Sequence, residues 1–169
     1  APFGAAPDEY TRQHFLTAFA GPGALGTATP PSNVAVTKTS RVAYFKGCGM
    51  QIMFPEAAAQ TMEVLGRVTK PVTRDNVCCG LPHLAHAMES EFLELAKENI
   101  RQFEDVDLVV SDCASCSGTL KHVASYFAND PEWKDRAAAF SAKILDLTEY
   151  LAKSGYVPRQ KSRAKITYH

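Results

Sequence analysis

Five cysteines define the chemistry open to this chain: Cys48, the adjacent pair Cys78 and Cys79, and Cys113 with Cys116 three residues on. Their number is odd, and a chain of 169 residues buries enough core not to need disulfide staples. A bond between neighbouring Cys78 and Cys79 would be strained. Free thiols in a reducing compartment, committed to a metal, fit this pattern better than a disulfide framework. Thiolates select soft centres, zinc or iron–sulfur, over hard cations. An iron–sulfur cluster that draws on all five thiols is the leading expectation. The alternatives are a four-thiolate zinc site with one idle cysteine, a redox dithiol at Cys113 and Cys116, and unrelated buried thiols.

The cysteines follow a regular succession of elements. Val42–Phe45 is a β-prone run that leads into Gly47-Cys48-Gly49. Pro55 and Glu56 open a helix in which Ala58, Met62 and Leu65 share a face and which Gly66 can end. Val68–Thr73 is a second strand, shortened or placed at an edge because Pro71 lacks an N–H. After the pair, Glu89–Phe103 is amphipathic, with Phe92, Leu95, Ala96, Ile100 and Phe103 inward. Val106–Ser111 is short and apolar enough for a covered parallel strand. Cys113–Phe127 reads as a helix, and Asp130-Pro131-Glu132 starts another that runs through Phe140, Ile144, Leu147 and Leu151.

Strands alternating with helices predict an α/β fold, a parallel Rossmann-like sheet with helices on both faces. In such a sheet the carboxyl ends of the strands share one edge, which carries the ligand crevice. Cys48 follows the first strand, Cys78 and Cys79 the second, and Cys113 the third, so the topology brings them to one place. Cys116 lies about one helical turn beyond Cys113. Helix N-termini after Cys79 and Cys113 would offset thiolate charge, and Gly47, Gly49 and Gly80 allow close backbone approach. His83 and His86 read as supporting or solvated residues, since the thiols already fill a coordination sphere. Lys46 reads as a surface lysine, and His14 and His122 carry no signal.

Other features bound the function. The formal net charge is zero, which gives no electrostatic ground for binding nucleic acid or an anionic membrane. No apolar run approaches the roughly 20 residues that span a bilayer. The opening Ala-Pro-Phe-Gly has no signal-peptide pattern. No strand is followed by a dinucleotide-binding glycine fingerprint, since residue 52 is Ile.

At Phe45-Lys-Gly-Cys48, Phe54-Pro-Glu56, Cys78-Cys-Gly-Leu-Pro82, Ala96-Lys-Glu-Asn99 and Val109-Val-Ser-Asp-Cys-Ala-Ser-Cys116 the sequence resembles the cysteine-rich CCG domain family. That family includes the cysteine-rich component of heterodisulfide reductase, the iron–sulfur subunit of glycolate oxidase and the lactate-utilisation proteins. The helix wording and Phe54-Pro-Glu56 look nearer the hydroxyacid-oxidising group. The resemblance implies a [4Fe-4S] cluster, cubane or non-cubane, on Cys48, Cys78, Cys79, Cys113 and Cys116, with zinc as the alternative. It implies a domain that passes electrons from a flavin-containing dehydrogenase subunit towards a quinone or redox protein, in the cytoplasm or held by partners at the inner face of the membrane. Disulfide reduction at a non-cubane cluster, as in heterodisulfide reductase, and a structural zinc domain are the other functions it leaves open. Residues 1–40 are expected to be a linker with a short helix at Pro7–Ala20. Residues 41–158 are expected to be a first CCG domain. Residues 159–169 would be a basic linker and, at Ile166-Thr-Tyr-His169, the start of a second, so the piece alone should lack complete activity.

Overall fold

The computed structural model describes residues 33–158 and Lys165. The expected helix at Pro7–Ala20 and the strand at Ile166–Tyr168 lie outside the described residues. Four strands form one all-parallel sheet in the order β2-β1-β3-β4: β1 (Val42–Tyr44), β2 (Val72–Thr73), β3 (Leu108–Ser111) and β4 (Ile144–Asp146). The α/β, doubly covered sheet expected from the sequence is therefore what the chain adopts. Every residue of β1 and β3 is buried, which explains why these strands read as unbroken apolar runs.

Strand periodicity divides the core in two. Ala43, Val109 and Ile144 lie side by side in the register and face one layer. That layer is built from α3 (Leu81–Ala85), α4 (Glu89–Gln102), α5 (Ala114–Tyr126) and α6 (Lys134–Ala142). Val42, Tyr44, Leu108, Val110 and Leu145 face the other, covered by α2 (Pro55–Gly66) and α7 (Leu147–Lys153). A further short helix, α1 (Cys48–Met53), precedes α2 and buries none of its residues. Residues 33–40 have no regular structure, although Val34 and Val36 pack against the second layer.

The second strand is short and at the sheet edge, as Pro71 implied; it is Val72–Thr73 rather than Val68–Thr73, because residues 67–69 complete turns off α2. One expectation is corrected: the single helix expected from Asp130 to Leu151 is α6, β4 and α7. Asp130 organises the turn that leads into α6, since Oδ1 accepts from the N–H groups of Glu132 and Trp133 at 3.0 and 3.2 Å, while the N-cap of the helix itself is Trp133. The helix stops at Lys143, whose ammonium reaches back to donate to the carbonyls of Phe103, Glu104 and Val106 at the end of α4. Ile144 and Leu145 then bury on opposite faces of the sheet, and Asp146 caps α7 by accepting from Thr148 N–H at 2.9 Å.

Candidate metal centre

The chain leaves β1 towards β2 on one side and returns from β2 to β3 on the other, so the strand order reverses between β1 and β3. The carboxyl end of that gap is where open α/β sheets hold ligands. Here the two loops touch closely. A Cβ on Gly47 would lie 3.3 Å from Cys113 Cβ and 3.4 Å from Cys116 Sγ. A side chain at Gly47 would press on both cysteines.

Each cysteine is placed by identifiable neighbours. Cys48 begins α1, and its Sγ lies 3.6 Å from Cys78 Sγ. Cys78 and Cys79 end the loop from β2, with Cys78 Sγ accepting from Gly80 N–H at 3.5 Å. Gly80 stands at φ 88, the left-handed region, and turns the chain into α3 directly over the Phe92 ring of α4. Cys113 is the N-cap of α5, its N–H donating to Ser111 Oγ at 3.3 Å, and Cys116 lies in the first turn. Cys79 and Cys116 are buried, Cys78 and Cys113 half-buried, and Cys48 exposed.

The Cys48 and Cys78 sulfurs are neighbours, Cys113 and Cys116 both lie against Gly47, and the acidities of Cys78, Cys79, Cys113 and Cys116 depend on one another. Contact between thiols splits their acidity. The thiols of Cys116 and Cys78, followed by the Leu81 N–H, hold Cys79 well below the usual thiol value. Cys113 is pulled down to about 6 by the Cys116 thiol and by the N–H groups of Cys116 and Ser115 at the start of α5. The donors, Cys78 and Cys116, are pushed up. Helix N-terminal amides thus favour thiolate at Cys79 and Cys113, as expected, but the neighbouring sulfurs contribute more.

Side chains with no metal-binding signature in the sequence hold this arrangement. Asn76, two residues before the pair, accepts from Lys46 N–H at 3.1 Å and donates to Lys46 O at 3.0 Å. Asn99, fully buried on α4, donates to Cys78 O at 3.0 Å. Asp112 Oδ2 accepts from Tyr44 and Thr61 hydroxyls at 2.9 and 2.8 Å, and so ties the start of the Cys113 loop to β1 and α2. Burial, and then Asp112, raise the Tyr44 pKa. The available signals were polar residues at inward positions, most plainly Asn99 between Ala96 and Ile100. His83 and His86 lie on α3 and at its end, with His83 Nδ1 buried and unpartnered. Lys46 contributes its backbone. His122 lies within α5, away from its N-terminus, and His14 is outside the described residues.

Among the described residues, no group of three or more His, Cys, Asp or Glu side chains is arranged to hold a metal ion. All-thiolate donors and backbone N–H groups on sulfur match what iron–sulfur groups take from proteins.

Residues 42–121 match the family model described as the cysteine-rich domain, CCG. This stretch belongs to the CCG cysteine-rich domain family. The chain is 35% identical over 117 residues to the "Probable glycolate oxidase iron-sulfur subunit" of Bacillus subtilis, covering 67% of this chain and 26% of that protein. It is 32% identical over 114 residues to "Lactate utilization protein A" of Shouchella clausii, covering 66% of this chain and 48% of the relative. It is also 32% identical over 134 residues to the protein of that name in an Exiguobacterium species, covering 76% and 55%. The chain therefore spans between a quarter and just over half of these curated relatives. No solved structure matches it. Among the described residues, no helix is long and apolar enough to cross a membrane.

Proposed function

We propose that Cys48, Cys78, Cys79, Cys113 and Cys116 hold one iron–sulfur cluster and that this domain conducts electrons within a glycolate- or lactate-oxidising complex. The observation that carries this reading is the meeting of thiols from three remote segments at the strand-reversal edge, with Cys48 Sγ 3.6 Å from Cys78 Sγ and with Cys113 and Cys116 against Gly47. The names of the relatives support the setting: an iron–sulfur subunit of glycolate oxidase, and proteins of lactate utilisation. The cluster, when bound, would accept and release single electrons, from a flavin-containing subunit towards a quinone or a redox protein. The chain's own part is to supply thiolates, hold them on two helix N-termini, and shield Cys79 and Cys116 from water. The greater length of the relatives leaves room for a second CCG domain after residue 158. Five free thiols fit a cytoplasmic setting.

The fifth thiol favours a second reading. Four thiolates serve a cubane, yet Cys78 and Cys79 both belong to the proposed ligand set. A non-cubane [4Fe-4S] cluster that reduces a disulfide would use the additional one.

Anaerobic purification with iron, acid-labile sulfide and zinc analysis tests the first reading. Iron and sulfide in near-equal amounts are expected. About one zinc with no sulfide would overturn it in favour of a structural zinc domain. Paramagnetic resonance of the oxidised, thiol-treated protein separates the two redox readings, since only disulfide chemistry predicts a thiol-dependent signal.

A further inference from the structure

The Cys78–Cys79 pair poses a geometric problem, because consecutive side chains on an extended backbone point in opposite directions. Here Cys78 Sγ lies 3.6 Å from Cys48 Sγ and accepts from Gly80 N–H at 3.5 Å, while Cys79 is buried at 4% exposure. Both sulfurs serve one site only if the peptide that joins them is fixed. Two side chains of α4, one helical face apart by seven residues, lie against it. Phe92 packs under Gly80, so closely that a Cβ there would meet the ring at 2.5 Å. Asn99, at 0% exposure, donates its amide to Cys78 O at 3.0 Å.

Asn99 is otherwise out of place. Its neighbours on that face are apolar, and among the described residues its Oδ1 has no hydrogen-bond partner. Burying an amide with half its capacity unused is unfavourable, and an apolar residue of that volume would serve α4 packing better. The one bond that the side chain makes goes to the peptide that joins the two cysteines. We propose that Asn99 is a positioning residue: it fixes the Cys78–Cys79 peptide so that both sulfurs serve the same site. Phe92 supplies the apolar floor of this clamp, and Asn99 its direction. This inference rests on the cluster reading for its purpose, but the clamp is measurable without any metal.

The test compares alkylation of individual cysteines by iodoacetamide in metal-free, reduced protein, read by mass spectrometry. Cys79 and Cys116 are equally buried, each at 4% exposure, but only Cys79 belongs to the clamped pair. Asn99→Leu should raise the Cys79 labelling rate at least tenfold relative to Cys116. Ile100→Val, a core change on the same helix, should leave that ratio unchanged. If Asn99→Leu does not fold, Asn99→Ser removes the same donor at smaller volume and should act in the same direction. A ratio that stays at the parent value in the folded Asn99 variant would overturn the proposal, as would an equal rise in Ile100→Val. In the iron- and sulfide-reconstituted protein, the Asn99 variant should also retain severalfold less iron with an altered visible spectrum; parental content and spectrum would overturn the proposal too. A parent that takes up no iron or sulfide would instead overturn the cluster reading, with the labelling ratio still deciding the clamp.

Discussion

Asn76 and Lys46 exchange two hydrogen bonds, with the Lys46 N–H donating to Asn76 Oδ1 at 3.1 Å and Asn76 Nδ2 donating to Lys46 O at 3.0 Å. A side chain two residues before Cys78 thus occupies both backbone groups of the residue two before Cys48. It continues, beyond the end of the β1–β2 pairing, the contact that a longer β2 would have made. Asn76→Ala should cost about 1–3 kcal/mol in urea unfolding. Asn76→Asp, which keeps the acceptor and loses the donor, should cost less than Asn76→Ala. An Ala variant as stable as the parent would show that the strand ends hold their spacing without this bridge.

Gly80 and Phe92 make a second prediction of stability. The left-handed backbone and the ring contact would each disfavour a side chain at residue 80, by roughly 1–3 kcal/mol apiece. Gly80→Ala should therefore be among the most destabilising small substitutions in the chain. Adding Phe92→Leu should recover the steric part and leave the backbone part. Thermal unfolding of the two single variants and the double variant measures the coupling, and strict additivity would refute the ring contact as a cause.

These relationships show what could be read beforehand and what could not. β1 and β3 were visible because strands covered on both faces are short and wholly apolar, as in Leu108-Val-Val110. The meeting of the cysteines was visible because parallel strands end at one edge. β4 was hidden because Ile144 shares a helical spacing with Phe140, Leu147 and Leu151, so its local pattern fits either state. What decides it is remote. Lys143 gives its ammonium to carbonyls at the end of α4, and β3 offers an open edge to Ile144–Asp146. α1 escaped notice because it buries no residue and so carries no apolar periodicity. Asn76 and Asn99 act across 30 and 21 residues, and no local pattern encodes such pairings.

Lys143 supplies a prediction of its own. Burial lowers its pKa, a cost offset by the carbonyls of Phe103, Glu104 and Val106 in the turn that follows α4. Lys143→Met preserves the aliphatic length but removes the donors, and should lower stability by about 1.5–3 kcal/mol. Hydrogen exchange should increase first in the last turn of α4. Protection lost evenly over the whole chain would contradict this local role.

Tyr44 should give the alkaline limb of the stability curve. Its phenol is held above the ordinary value of 10.0, by burial first and by the bond to Asp112 second. The unfolded chain therefore releases this proton at lower pH than the folded one. The contribution is complete below pH about 10 and declines as pH rises beyond it. Tyr44→Phe should flatten that decline, with Tyr126 and Tyr150 unchanged in both proteins. Denaturation midpoints on either side of pH about 10 measure the difference. Equal slopes would exclude Tyr44 as the group responsible.

The split acidity of the thiols is a further consequence of their contacts. In metal-free, reduced protein near neutral pH, Cys79 and Cys113 should be thiolates, while Cys78 and Cys116 keep their protons. Thiolate ultraviolet absorbance should persist down to pH about 6, where Cys113 protonates, and a remainder from Cys79 should survive further acidification. Both lowered groups are acids that ionise more readily when folded. Their contribution to stability is thus present above the ordinary thiol pKa of about 8.5 and lost as pH falls through the folded values. Cys116 is the first cause of both shifts, so Cys116→Ala should raise both values and diminish the neutral-pH absorbance by more than a change at Cys48. An unaltered absorbance in Cys116→Ala would mean that the sulfurs do not share their protons in this way, and the amides of α3 and α5 would then be the dominant influence on the thiolates.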